Sequence, residues 1–286
     1  MTDVARAQPA GARYKTGSQM RFISLFSGIG GLDLGLERAG LQCVGQVEID
    51  DYATRVLEKH WPTVPRWRDV RSVGHHNLPY TDAIVGGFPC QDISNAGRRV
   101  GIDGDRSGLW SEYYRIICEL RPRYVLVENV SALFVRGMGR VLGDLASVGY
   151  DTEWECIPAA ALGAPHIRDR VFIVAYPHDP RRGRWQQRQA ITAAERLANA
   201  DRARLEIGPC FGLNALEALA AVERRGGARG GVWTVEPDVD RVAYGVPNRM
   251  DRLRGLGNAV VPQVAEYIGR LIVSHAEQGG AIHGHQ

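Results

Sequence analysis

Residues 21 to 40 read RFISLFSGIGGLDLGLERAG, and this stretch decides the fold. Arg21 to Phe26 has the apolar, β-prone character of a buried strand. Ser27-Gly28-Ile29-Gly30-Gly31 is a turn, Leu32 to Ala39 repeats with helical spacing, and Gly40 stops the helix. Strand, glycine turn and helix form the opening unit of an α/β sheet that binds a nucleotide at the end of its first strand. Glycine lets the backbone approach the ligand, and the helix N-terminus offers free N–H groups. A second strand, Cys43 to Val47, ends at Glu48, eighteen positions after Gly30. That is where a carboxylate accepts hydrogen bonds from ribose hydroxyls. The glycines run Gly28-x-Gly30-Gly31-x-x-x-Gly35 rather than GxGxxG. The pair predicts an adenosine-type cofactor and does not separate NAD from S-adenosylmethionine.

Outward from this unit the alternation continues. Tyr52 to Lys59, Trp110 to Leu120 and Arg140 to Ser147 read as helices. Ala83 to Val85, Tyr124 to Val127, Asp151 to Ile157 and Val171 to Ala175 read as strands. Strands alternating with helices predict a mainly parallel, Rossmann-like α/β sheet. The pattern fails from residue 177, where Arg, Gly and Pro accumulate and only Ala190 to Ala200 and Leu213 to Arg224 look helical. A second, small, irregular domain is expected there. Val261 to Ile272 reads as an amphipathic helix returning to the first domain. The expected division is a disordered lead-in over 1–20, a catalytic and cofactor-binding domain over 21–176, the small region over 177–251, a returning segment over 252–274 and a disordered tail over 275–286.

Composition narrows the function. The strongest apolar runs, Tyr124 to Val127 and Val171 to Tyr176, are far too short to span a membrane. The first twenty residues lack an apolar core, so no secretory leader is expected. Five cysteines, at 43, 90, 118, 156 and 210, are odd in number and well separated. That argues against a disulfide framework and against a CxxC metal site, and fits a reducing cytoplasm. Four of the five are expected to be small buried hydrophobes. Between Arg181 and Arg254 there are fourteen Arg, no Lys and nine Asp plus Glu, while the rest of the chain is slightly negative. This local positive charge points to nucleic acid.

Gly87-Phe88-Pro89-Cys90-Gln91 follows a predicted strand, so Cys90 would face the ligand crevice of the sheet. Arg98, Arg99 and Arg106 follow and would favour a thiolate. Here the chain resembles the DNA cytosine-5 methyltransferases. GFPCQDIS resembles their nucleophile loop and FSGIGGLDLGLERAG their cofactor loop, with Glu48 at the ribose acid and Asp69-Val70 at the adenine. Glu128-Asn129-Val130 resembles the ENV block, and His166-Ile167-Arg168-Asp169-Arg170 the paired-arginine block. Gly257-Asn258-Ala259-Val260-Val261-Pro262 resembles the block that completes the cofactor pocket. The blocks fall in the family's order, over roughly residues 21–175 and 252–272.

The resemblance implies methyl transfer from S-adenosylmethionine to carbon 5 of a flipped cytosine, with S-adenosylhomocysteine as product. Cys90 would be the nucleophile and Glu128 the acid at ring nitrogen 3. Arg170 would hold the base's 2-oxo group, Arg168 would brace the loop or the Cys90 region, and Asn129 would fix loop geometry. Cofactor contacts are implied for Phe26, Ser27, Gly28, Ile29, Gly30, Gly31 and Leu32, for Glu48 and Ile49, for Asp69 and Val70, for Pro89, and for Asn258, Ala259 and Val260. DNA contacts are implied for Gln91, Ser94 and Arg98 near the nucleophile. Arg181, Arg182, Arg184, Arg188, Arg224, Arg225 and Arg229 in the basic region are further candidates. The implied partner is double-stranded DNA, bound by a cytoplasmic monomer without a metal; a companion restriction endonuclease, a phage-defence role and an orphan role all fit.

The chain departs from the family in two places. The span from Tyr176 to Arg252 is short, and the helical block that normally follows the recognition region is reduced to a candidate remnant at Glu236 to Val242. His166 stands where glutamine is usual. Three rivals remain: an RNA cytosine-5 methyltransferase, an NAD-dependent oxidoreductase, and a non-catalytic DNA-binding scaffold. The oxidoreductase leaves the cysteine, ENV and paired-arginine blocks without a role, and a dead scaffold has no reason to keep both Cys90 and Glu128.

Overall fold

Near-continuous apolar runs along the central strands dictate a sheet covered on both faces, and a computed structural model of the chain has that form. It describes residues 19–89, 108–162, 164, 166–178 and 249–281. The first five strands are β1 (Arg21–Leu25), β2 (Gln42–Val47), β3 (Arg66–Trp67), β4 (Ala83–Gly86) and β5 (Tyr124–Val130). The hairpin β6 (Tyr150–Pro158) and β7 (Asp169–Pro177) completes a seven-stranded sheet ordered β3-β2-β1-β4-β5-β7-β6. The helices are α1 (Gly31–Arg38), α2 (Asp51–His60), α3 (Leu109–Leu120), α4 (Leu133–Arg136), α5 (Met138–Ser147), α6 (Arg249–Asn258) and α7 (Pro262–Ala281).

The first five strands pair in parallel, whereas β7 is antiparallel to both β5 and β6. The sheet is therefore mainly parallel, as the sequence predicts, with β7 alone running against the other strands. The link between β6 and β7 is too short for the crossover that parallel strands need, so the pair closes as a hairpin. Strand order reverses direction between β1 and β4, and the loops leaving their C-terminal ends face one crevice. Those loops are Phe26 to Gly30 and Gly87 to Pro89, the two on which the sequence analysis placed chemistry.

Successive side chains of a strand point to opposite faces, and the core divides accordingly. Phe22, Val85, Tyr124, Leu126 and Phe172 pack under α1 and α7, while Ile23, Ile84, Val125, Val127 and Ile173 pack under α3 and α5. On the second face Tyr113 is fully buried, and its hydroxyl donates to the Leu126 carbonyl at 2.9 Å. On the first face α1 and α7 approach closely through two glycines. A Cβ on Gly35 would meet the Pro262 carbonyl oxygen and Ala265, and one on Gly269 would meet Ala39 Cβ at 2.7 Å.

The helix α7 continues past Ser274 to Ala281, so the disordered tail expected from residue 275 is corrected. His275 and Ala276 are buried, and the His275 ring lies 4.8 Å from Tyr176 and accepts or donates a 2.7 Å hydrogen bond with the Tyr124 hydroxyl. Ring contact and hydrogen bond together tie this end of the helix to the sheet. Order likewise begins before residue 21, because Met20 is buried and its carbonyl accepts from Gln42 N at 2.8 Å. The helices predicted over 190–200 and 213–224, and the small domain containing them, lie outside the described residues.

Candidate active site

The glycine turn after β1 is built by its own backbone. Gly30 N donates to Ser27 O at 3.0 Å, and Ser27 N reaches across to Val47 O at 3.1 Å. Phe26, Gly28 and Gly30 all have positive φ, at 55°, 55° and 82°. Gly28 is required by that conformation rather than by space, since a Cβ there would meet nothing within 4 Å. The Gly28 N–H donates to Glu48 Oε2 at 2.7 Å, and Asp50 N donates to Glu48 Oε1 at 2.7 Å. The carboxylate at the end of β2 is thus fixed by one amide from each loop, and each oxygen keeps a lone pair for a ligand.

At the end of β5 stands the second carboxylate. Glu128 is 7% exposed. The β5–β7 register sets Val130 opposite Arg170, and the Arg170 Nε lies 3.1 Å from Glu128 Oε1. A Cβ on Gly87 would meet Glu128 Oε2, so only glycine lets the β4 loop pass this acid. Asn129 Nδ2 donates to Phe88 O at 3.3 Å, which ties that loop to β5 directly before residue 90.

The two carboxylates share one cavity of about 510 Å³. Its lining includes Phe26, Ser27, Gly28, Ile29 and Leu32 from the first loop and α1, together with Glu48 and Ile49. Asp69, Val70, Pro89, Asn258, Ala259 and Val260 complete the expected cofactor set, and Glu128, Asn129 and Arg170 close the other end. Two expected members lie elsewhere. Gly30 packs on Trp61, and a Cβ on Gly31 would meet the Val260 carbonyl, so both serve close packing and line a second cavity of about 1010 Å³ beside Arg168.

Arg168, grouped by sequence with the catalytic residues, is engaged elsewhere. Its Nη2 donates to Gly257 O at 2.9 Å and to Ala259 O, holding the turn between α6 and α7. The loop it braces is therefore the one carrying Asn258. It does so from a left-handed backbone, φ 40°, which is strained for arginine.

Sequence reasoning missed several lining residues: Asp50, Arg68, Arg71, Leu109 and Arg254. Asp50 was legible as a helix cap, since it follows Glu48 and opens α2, where its Oδ1 accepts from Ala53 N at 2.9 Å. Arg254 carries no local signal, because its place depends on how α6 returns. Cys90, with Gln91, Ser94 and Arg98, lies outside the described residues, and so do Arg181, Arg182, Arg184, Arg188, Arg224, Arg225 and Arg229.

A family model for C-5 cytosine-specific DNA methylases matches residues 20–205. The chain belongs to that family. Among curated relatives, the Type II methyltransferase M2.BsuMI of Bacillus subtilis is 38% identical over 164 residues, covering 54% of this chain and 42% of its own. The Type II methyltransferase M.DsaV of Dactylococcopsis salina is 35% identical over 162 residues, covering 55% of this chain and 46% of its own. The chain thus spans less than half the length of these two relatives. The solved structure of the Entamoeba histolytica methyltransferase EhMeth superposes with a TM-score of 0.50 at 20% identity, over 57% of this chain and 54% of that one, which supports the shared fold.

Within the cavity the electrostatics single out Glu128. Burial raises its carboxyl to about 7, against the opposing pull of Arg170 and Arg168. Desolvation of the charged form outweighs one guanidinium at 3.1 Å and a second farther away. The result is a carboxyl able to hold or release a proton near neutrality. A second buried acid, Asp33, is raised to about 6 by burial, against hydrogen bonds from Gln46 and Ser24. It lies beneath the glycine turn, with Ser24 Oγ donating at 2.9 Å and Gln46 Nε2 at 2.8 Å.

Proposed function

We propose that this chain is a DNA cytosine-5 methyltransferase that uses S-adenosylmethionine. The observation that carries the reading is the pairing of Glu128, buried and raised to about 7, with Arg170 in the same cavity as the Gly28–Glu48 turn. A cavity of this size suits a nucleoside-sized ligand beside a small second reactant. The residues present fit the cofactor: an open space at Gly28, a fixed acceptor at Glu48 for ribose hydroxyls, and the Asn258–Val260 loop as the facing wall. When bound, S-adenosylmethionine supplies an electrophilic methyl group.

The protein's own residues then act on the base. Carbon 5 of cytosine is a poor nucleophile. The Cys90 thiolate adds to carbon 6, and the electron pair moves toward ring nitrogen 3, making carbon 5 enamine-like. Protonated Glu128 holds a proton at nitrogen 3 and so neutralises that charge. Arg170 fixes Glu128 and meets the 2-oxo group. Carbon 5 takes the methyl group, loss of its proton follows, and Cys90 leaves as thiolate. None of these atoms is reachable in a stacked duplex, so the base is flipped at a cost of a few kcal/mol. The basic region over 177–251 grips duplex DNA and offsets that cost. Among the described residues no helix is long and apolar enough to cross a membrane; the reading places the enzyme with DNA in a bacterial or phage-infected cytoplasm. The names of the Type II relatives support a restriction-modification role.

The test is bisulfite sequencing of DNA from cells expressing the full chain, beside Cys90→Ala. Methylated cytosines in one short context, absent from the variant, are expected. Unchanged methylation with the variant would remove Cys90 from the mechanism, and methylation of transfer RNA in place of DNA would overturn the substrate.

A further inference from the structure

Asp50 stands where three elements cross. Its N–H donates to Glu48 Oε1 at 2.7 Å, and its Oδ1 caps α2 through Ala53 N at 2.9 Å. Its remaining carboxylate oxygen, Oδ2, accepts from Arg254 Nη2 at 2.5 Å. Arg254 lies on α6, 204 positions later, and its Nη2 also lies 3.4 Å from Asp251 Oδ1. Both Asp50 and Arg254 line the cavity. The same helix rests on the glycine turn, since a Cβ on Gly255 would meet Ile29 Cγ2 at 3.1 Å and Tyr52 Cε1 at 3.5 Å. Met250 and Leu256 of α6 point to solvent, at 76% and 64% exposure, and give it no anchorage.

We propose that Asp50 and Arg254 form a clasp, a positioning pair that fixes α6 over the Glu48 end of the cavity and so sets the affinity for the cofactor. This deepens, and rests on, the reading of that cavity as the S-adenosylmethionine site. The physical link is short. The residue whose amide orients Glu48 is also the residue that receives the guanidinium of α6. Opening the pair frees the wall of the cavity and relaxes the acid together. The side chains of Asp50 and Arg254 are 33% and 59% exposed, so the pair adds little to overall stability and is screened by salt. Its effect therefore falls on ligand retention rather than on folding.

The experiment is calorimetric titration of the full chain with S-adenosylhomocysteine at low and high salt. The variants are Asp50→Asn, Arg254→Gln, the double variant and Arg254→Lys. Asparagine keeps the α2 cap and glutamine keeps much of the side-chain length, so thermal melts without ligand should stay close to wild type. Each single variant should weaken binding about three- to fivefold at low salt. The double variant should be no weaker than either single one, because the interaction can be lost only once. Arg254→Lys should recover part of the affinity, and the wild-type salt dependence should flatten in Arg254→Gln. Losses that add in the double variant, or affinities equal to wild type, would overturn the clasp while leaving the cofactor site standing. A wild-type chain that binds no S-adenosylhomocysteine would overturn both.

Discussion

Replacing Glu128 by glutamine should change how stability responds to pH. The carboxyl is buried, and its value rises from 4.5 to about 7 on folding. A carboxyl raised in this way binds its proton more tightly in the folded chain. The folded state then has an advantage that is complete below the unfolded value and disappears as pH climbs through the folded one. One unit corresponds to about 1.4 kcal/mol, so the interval carries about 3 kcal/mol. Glutamine keeps the shape and an oxygen for Arg170 Nε but has no proton to lose. Asp33, also raised, titrates alike in both proteins and cancels. Urea unfolding of wild type and Glu128→Gln across this range should show the variant gaining about 3 kcal/mol relative to wild type between pH of about 4.5 and about 8. A difference that stays flat, or that shrinks as pH rises, would refute the reasoning. It would mean that the Arg170 contact keeps Glu128 ionised in the folded protein. The same variant should lose about 10²- to 10⁴-fold in methylation rate, the range expected for removing a positioned acid.

Other perturbations probe the walls of the cavity. Arg168→Met removes the donor to the Gly257 and Ala259 carbonyls; it should weaken S-adenosylhomocysteine binding by about tenfold in calorimetry, and unchanged binding would show that the turn holds without it. Gly35→Val sets a branched side chain against Pro262 O and Ala265, and should cost about 3 kcal/mol or more in urea unfolding by pushing α7 off α1; an unchanged midpoint would mean the two helices are not in such close contact. Cys90→Ala should abolish methylation of duplex DNA in a radiolabelled-methyl assay and leave S-adenosylhomocysteine affinity near wild type.

The sequence read most clearly where local chemistry and fold demand the same residue. Glycine at 28 and 30 is needed for positive φ, and Glu48 ends a strand, so the turn and its acid were placed within a residue or so. The helices α2, α3 and α5 were legible from apolar spacing alone. The antiparallel setting of β7 was not, because a fully buried strand such as VFIVAY looks the same whichever way its neighbour runs. The two-residue strand β3 offered no period to detect. The end of α6 was hidden by Gly255 and Gly257, whose low helix propensity argues against a helix there. Arg168 shows a different limit. Its bracing role was expected at the nucleophile loop, whereas its side chain, from a left-handed backbone, holds the carbonyls of Gly257 and Ala259 on a segment some ninety positions later.

The return of α6 and α7 has a consequence for the order in which this chain acquires its properties. During synthesis β1 through β7 emerge with Gly28, Glu48, Glu128 and Arg170 already made, but the wall formed by Asn258, Ala259 and Val260 does not yet exist. The partner surface that α7 offers to α1 is also missing, so the part of that face which α7 covers remains open to solvent. A ligand that needs the completed wall can stabilise only chains translated through α7, by mass action on the folded state. A ligand held by that wall thus protects only chains that carry it, and products ending before Asn258 gain nothing from its presence.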